Sequence, residues 1–129
     1  MQKVILLFIG RLSCLIAAVG FLGGTNTSFA QSIAVGGAHY VALCSNQTVW
    51  ARGRNCYGQV GDGTFTDRNA PVMVAGLASV TAVAAANGHS MALLNNGTVW
   101  TWGDNSNGQL GDGTTTTRTT PVQVTGLAG

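Results

Sequence analysis

One stretch of this chain is written twice. Residues 39–78 and 89–128 align without a gap at an offset of 50 residues, with about half of the aligned positions identical. His39 falls on His89, Trp50 on Trp100, Gly53 on Gly103 and Asn55 on Asn105. The run Gly61-Asp62-Gly63-Thr64 falls on Gly111-Asp112-Gly113-Thr114, Arg68 on Arg118, and Pro71-Val72 on Pro121-Val122. A fixed period of this length constrains the fold more than composition does. Each repeat is one supersecondary unit that buries its apolar surface by stacking on its neighbours.

Each copy reads as four short strands and no helix. A small-residue strand, at 33–35 or 80–85, precedes a hairpin. In the second copy the hairpin arms are 90–94 and 98–103, joined by Asn95-Asn96-Gly97. Asn-Gly between apolar runs signals a primed turn, because both residues tolerate positive φ. Ser45-Asn46-Gln47 is a weaker form of the same turn. A Gly-rich loop then leads to a last strand, expected to open at Pro71 or Pro121, where a missing N–H costs least. Alternation around a primed turn places Met91, Leu93, Trp100 and Trp102 on one face, and Ala92, Leu94, Val99 and Thr101 on the other. Both faces are largely apolar, which suits a sheet sandwiched between copies of itself rather than one wetted on one side. Radial repetition of four-stranded sheets is a β-propeller. The expected fold class is therefore all-β, with two four-stranded antiparallel blades at 31–79 and 80–129.

The residues that carry this pattern are H-x-x-A-L, T-V-W, W-G-D-N, G-Q-L-G-D-G-T and R-x-x-P-V. Together they resemble the regulator of chromosome condensation repeat family, over residues 31–129. The first copy departs from the pattern at Arg52, which stands where the second has Trp102, and at Arg54, which stands for Asp104. The resemblance implies one propeller blade per repeat. Two blades make an incomplete propeller, since closure takes roughly 4–8. An isolated pair leaves apolar faces and strand edges open. The expectation is either further blades or self-association.

The N-terminus is of another kind. Lys3 is followed by an apolar stretch at 4–24 broken only by Arg11 and Ser13, and then by Thr25-Asn26-Thr27-Ser28-Phe29-Ala30. Ser28 and Ala30 fit the small-x-small rule, so residues 1–30 read as a secretory signal cut before Gln31. The rival expectation is a membrane anchor through 4–24. Beyond residue 30 the chain carries Arg52, Arg54, Arg68 and Arg118 against Asp62, Asp67, Asp104 and Asp112, with no Lys and no Glu. That balance is neutral and gives no basic patch of the kind that binds a phosphate backbone. The exported part keeps two cysteines, Cys44 and Cys56. Export permits a disulfide, but the expected register sets Cys44 opposite Val49 and Cys56 beyond the strand, which argues against a bridge between them.

No catalytic, cofactor or metal site emerges. His39 and His89 recur at one place in each repeat, which suits a turn-and-packing role through ring hydrogen bonds. The glycines at 58–63 and 108–113 have the wrong spacing for a dinucleotide fingerprint, and no helix or P-loop Lys follows. Asp62 and Asp112 are expected to bond nearby backbone N–H groups. Arg68 and Arg118 are expected to bond loop carbonyls. Asp104-Asn105-Ser106-Asn107-Gly108 is a turn rather than a calcium loop, since the chain has no Glu for a bidentate ligand. The sequons at Asn46 and Asn96 follow from an Asn-centred turn before a Thr-started strand. The functional expectation is an exported, non-catalytic module that binds a protein partner through loops at one end of the blades. The alternative implied by the resemblance is guanine-nucleotide exchange on a small GTPase, as in the family's eukaryotic namesake.

Overall fold

The computed structural model describes residues 30–127. The first sheet holds β1 (Ala30–Val35), β2 (His39–Cys44), β3 (Val49–Gly53) and β4 (Arg68–Met73). The second holds β5 (Val80–Ala85), β6 (His89–Leu94), β7 (Val99–Gly103) and β8 (Arg118–Gln123). Both are antiparallel meanders whose strand order follows the chain. The described residues contain no helix, and the all-β class expected from the repeat is what they form. The expected export segment lies outside the described residues except for Ala30, which opens β1 one position before the expected cut.

The hairpin differs from expectation in a way that changes its faces. Leu94 N–H donates to the Thr98 carbonyl at 3.0 Å, and Gly97 N–H to the Leu94 carbonyl at 3.0 Å. The loop is therefore three residues long, 95–97, with Gly97 at φ +82°. This is the three-residue hairpin that ends in a left-handed residue, not a two-residue primed turn. One more residue in the loop shifts the register by one and turns every side chain over. Ala92 pairs with Trp100 and Ser90 with Trp102, while Met91 pairs with Thr101 and Leu93 with Val99. The tryptophans thus share a face with Ser90 and Ala92, not with Met91 and Leu93.

The first hairpin turns the same way, with Gln47 at φ 64° in the place of Gly97. Cys44 consequently pairs its N–H with Thr48 rather than facing Val49. Cys56 is a free, exposed thiol, so no disulfide joins it to Cys44. The outer strands also begin earlier than expected. β4 starts at Arg68, and Pro71 lies inside it, in the stretch where the register with β3 shifts. An edge strand with an irregular ladder tolerates the missing N–H there.

The blades stack face to face, with β1 and β2 against β5. Val41, Leu43, Val49 and Ala51 of the first blade pack against Val80, Ala92 and Trp102 of the second. Val60 and Val74 complete this core. The faces turned away from the joint stay open among the described residues: Val35 is 74% exposed, Met73 56% and Leu93 40%.

Candidate protein-recognition surface

The loops after β3 and β7, residues 54–67 and 104–117, lie at one end of the blades and share a hydrogen-bonded scaffold. Asn55 is fully buried at its centre. Its amide nitrogen donates to Asp62 Oδ1 (3.3 Å), the Thr64 carbonyl (2.9 Å) and the Thr66 carbonyl (3.0 Å). Its amide oxygen accepts from Val60 N–H at 2.9 Å. Asn105 repeats the pattern on Asp112 (3.1 Å), Thr114 (3.0 Å), Thr116 (3.0 Å) and Leu110 (3.0 Å). Sequence reasoning assigned these asparagines no role. Their identity in the two copies was the signal that could have found them.

Asp62 Oδ1 accepts from the Thr64 N–H (3.0 Å) and hydroxyl (2.8 Å), as expected, and Asp112 does the same with Thr114 at 3.0 and 2.8 Å. The arginines differ from expectation. Arg68 Nε donates to Asp62 Oδ2 and its Nη2 to the Thr64 hydroxyl, and Arg118 Nε reaches Asp112 Oδ2 at 2.8 Å. They cross-brace carboxylate and hydroxyl rather than carbonyls, because the Asp side chain already points across the loop. Burial works to raise the Asp62 pKa, but the Thr64 bonds and Arg68 outweigh it and hold the carboxyl below its usual range. The Thr114 hydroxyl, helped by Arg118, holds Asp112 at about 2. Both carboxylates are thus committed to the loop.

What this scaffold displays differs between the copies. In the first blade it presents Arg54, Tyr57 (47% exposed) and Phe65 (58% exposed). The aligned residues of the second are Asp104, Asn107 and Thr115. Asp104 Oδ1 accepts from Ser106 N–H at 3.0 Å, a turn as expected. Asn46 and Asn96 likewise close turns onto the Thr48 and Thr98 hydroxyls at 2.7 Å each.

Residues 57–61 also form a plug that enters the second blade. The Gln59 carbonyl accepts from Trp102 Nε1 and from the Ser90 hydroxyl, each at 2.9 Å. Gly61 has φ +78°, and a Cβ there would lie 2.6 Å from Trp102 Nε1, so only glycine fits. His39 Nε2 lies 2.7 Å from Ser90 Oγ. The serine's one hydrogen goes to Gln59, so His39 Nε2 is the donor and Nδ1 is left as a buried atom with no hydrogen-bond partner. Burial first, and then the neighbouring His89, lower the His39 pKa below its ordinary 6.5. The ring hydrogen bond expected of His39 thus exists, but it spans the blades. Among the described residues no three His, Cys, Asp or Glu side chains stand together as a metal site would require.

Four-stranded antiparallel sheets stacked face to face and joined by a loop plug are blades of a β-propeller. Two family models for the regulator of chromosome condensation (RCC1) repeat match the chain, one at residues 30–59 and 80–109, the other at 46–93 and 96–129. The chain belongs to that repeat family. No curated protein matches its sequence. Among solved structures it is similar to human WBSCR16 (24% identity, TM-score 0.68), over 74% of this chain and 26% of that one. It is similar also to Prp20p from Saccharomyces cerevisiae (22% identity, TM-score 0.72), over 83% of this chain and 28% of that one. The same yeast protein bound to Kap60 matches at 23% identity and TM-score 0.72, over 83% of this chain and 27% of that one. The chain therefore spans about a quarter of the length of the solved structures it resembles.

Proposed function

We propose that the chain is an exported, non-catalytic recognition module that binds a protein partner through the loop end of its first blade, within a larger propeller. The observation that carries this reading is the contrast inside the repeat. Asn55, Asp62, Thr64 and Arg68 make the same bonds as Asn105, Asp112, Thr114 and Arg118, while the displayed side chains change from Arg54, Tyr57 and Phe65 to Asp104, Asn107 and Thr115. A fixed frame with variable display suits recognition. Tyr and Arg are the residues that most often carry binding energy at protein interfaces. Arg54 forms no ion pair among the described residues, so the partner suited to this surface offers a carboxylate beside an apolar pocket. The apolar stretch at 4–24 and the Ser28-Phe29-Ala30 site support export to a periplasm or medium.

The test compares the wild-type chain with the Arg54→Ala/Phe65→Ala variant, which changes two exposed side chains outside the plug, as bait in the exported fraction of the host. The expected result is a defined protein retained by the first and lost by the second at equal melting temperature. Retention by both variants, or by neither, overturns the reading. N-terminal sequencing is expected to find Gln31. An intact chain held in the membrane supports the anchor at 4–24 instead.

The alternative is nucleotide exchange. It draws on Prp20p, whose structure is described with its binding to Gsp1p and histones. The present chain spans 28% of that protein, and its described part balances four arginines against four aspartates, which does not suit histone-bound or nucleic-acid targets.

A further inference from the structure

The plug that joins the two blades exists twice, and so does its socket. Residues 58, 59 and 61 of the first plug are buried in the second blade: Gly58 lies against Arg118 and Thr119, Gln59 against Ser90, Trp102 and Gly103, and Gly61 against Trp102. The second plug, 107–111, has the same internal form. Gln109 Oε1 accepts from Asn107 N–H at 2.8 Å, as Gln59 Oε1 does from Tyr57 N–H at 2.8 Å. Gly111 N–H donates to the Gly108 carbonyl at 3.1 Å, as Gly61 N–H does to that of Gly58 at 3.0 Å. Yet Gly111 is exposed and Gln109 half-buried. At the opposite end of the molecule, the outer face of the first blade holds a groove of about 610 Å³ lined by Tyr40, Arg52 and Gly53. These are the positions that Ser90, Trp102 and Gly103 occupy in the filled socket.

We propose that a second copy of this chain docks head to tail, its residues 107–111 entering the groove on the outer face of the first blade. Arg52 replaces Trp102 there and keeps its chemistry, an N–H donor facing the carbonyl of the plug's glutamine. Tyr40, half-buried, lines the groove without filling it and supplies the second donor in place of Ser90. The joint continues the interface already present between the blades. Leu93, 40% exposed on one copy, then covers Ile33 and Val35, 37% and 74% exposed on the next. Such a heterologous contact repeats into rings or filaments rather than stopping at a two-fold dimer. It does not involve Tyr57 or Phe65, so it is tested apart from the recognition surface, and in it the copies themselves supply the larger propeller.

Sedimentation velocity of the full chain and three variants tests this. The wild type is expected to associate as concentration rises. Arg52→Trp keeps an N–H donor and adds the buried indole ring of the filled socket, and is expected to tighten association about tenfold through the added apolar burial. Arg52→Glu sets a carboxylate against a carbonyl and is expected to weaken it by about tenfold or more. Ala38→Glu, at the place where Gly88 receives Tyr57, serves as a second blocking change on an exposed residue. Circular dichroism confirms that each variant keeps its sheets. A chain that stays monomeric at every concentration overturns the proposal, as does association that Arg52→Glu and Ala38→Glu both leave unchanged.

Discussion

The Trp102 indole donates to the Gln59 carbonyl at 2.9 Å, tying β7 of the second blade to the loop that follows β3 of the first. The same carbonyl takes the Ser90 hydroxyl, so both of its lone pairs are used inside a joint from which water is excluded. Trp102 is wholly buried. Trp102→Phe keeps most of the packing and loses one donor while Ser90 still serves the acceptor, an expected cost of about 1 kcal/mol. Trp102→Ala also opens a cavity in the joint, an expected cost of about 3–5 kcal/mol. Denaturant midpoints at constant slope measure both. Equal losses would assign the joint to the hydrogen bond rather than to the ring.

The joint is also expected to weaken in mild acid, through His39. Its folded pKa lies below the ordinary 6.5, so the unfolded chain binds the proton more readily than the folded one. Its contribution is fully present above 6.5 and is lost as pH falls below that value. Melting temperature is expected to drop between about pH 7 and pH 5, before the carboxylates titrate. His39→Gln is expected to flatten that part of the profile. An unchanged slope in the variant would place the sensitive group elsewhere.

These two residues show where the sequence was readable and where it was not. The repeat announced the blades, because identity at an offset of 50 residues survives any uncertainty about turns. The faces of the hairpin are not legible in the sequence, because Asn95-Asn96-Gly97 admits a two-residue or a three-residue loop, and that single residue decides whether Trp102 sits with Met91 or with Ser90. His39 was recognised as structural from its recurrence, but its partner lies 51 residues away in the next blade, a pairing that no local pattern encodes. The Asn55 and Asn105 hubs were visible only as aligned letters. Their function depends on loop closure, which sequence spacing alone does not specify.

Asn55→Ala is expected to cost more than a surface change of equal size. It leaves the Val60 N–H and the Thr64 and Thr66 carbonyls without the partner they have now, in a loop whose centre is buried. An unmet buried polar group costs about 1–3 kcal/mol. Asn55 also fixes the loop that forms the plug, so the loss is expected to spread to the joint between the two blades, whereas Asn105→Ala is expected to leave that joint intact. Hydrogen exchange at Ser90 and Trp102 separates the two. Equal protection there in both variants would mean that the plug holds its shape without Asn55.

Acid is expected to spare the second loop until late. Asp112 titrates at about 2, held down first by the Thr114 hydroxyl and then by Arg118. Its stabilising contribution is present above the ordinary carboxylate pKa and is lost as pH falls through about 2. Carboxyl chemical shifts followed by NMR are expected to show Asp112 still ionised at pH 3. A midpoint near the ordinary value would mean that the Thr114 and Arg118 bonds are not kept in solution.

Nucleotides are expected not to bind the Gly-Asp-Gly-Thr loops, for a reason that the hydrogen bonds make specific. A phosphate cradle needs free backbone N–H groups converging on one point. In the first loop Gly61 N–H is bonded to the Gly58 carbonyl, Gly63 N–H to the Thr119 carbonyl of the next blade, and Thr64 N–H to Asp62. In the second, Gly111 and Thr114 N–H are used in the same way by Gly108 and Asp112. Asp62 and Asp112 stay ionised and repel an anion, and Arg68 and Arg118 are taken up in pairing them. Titration calorimetry with GTP, GDP and ATP is expected to show no heat of binding. Tight binding that Asp62→Asn or Asp112→Asn strengthens would mean that a loop opens to expose its N–H groups, and would return the nucleotide reading to consideration.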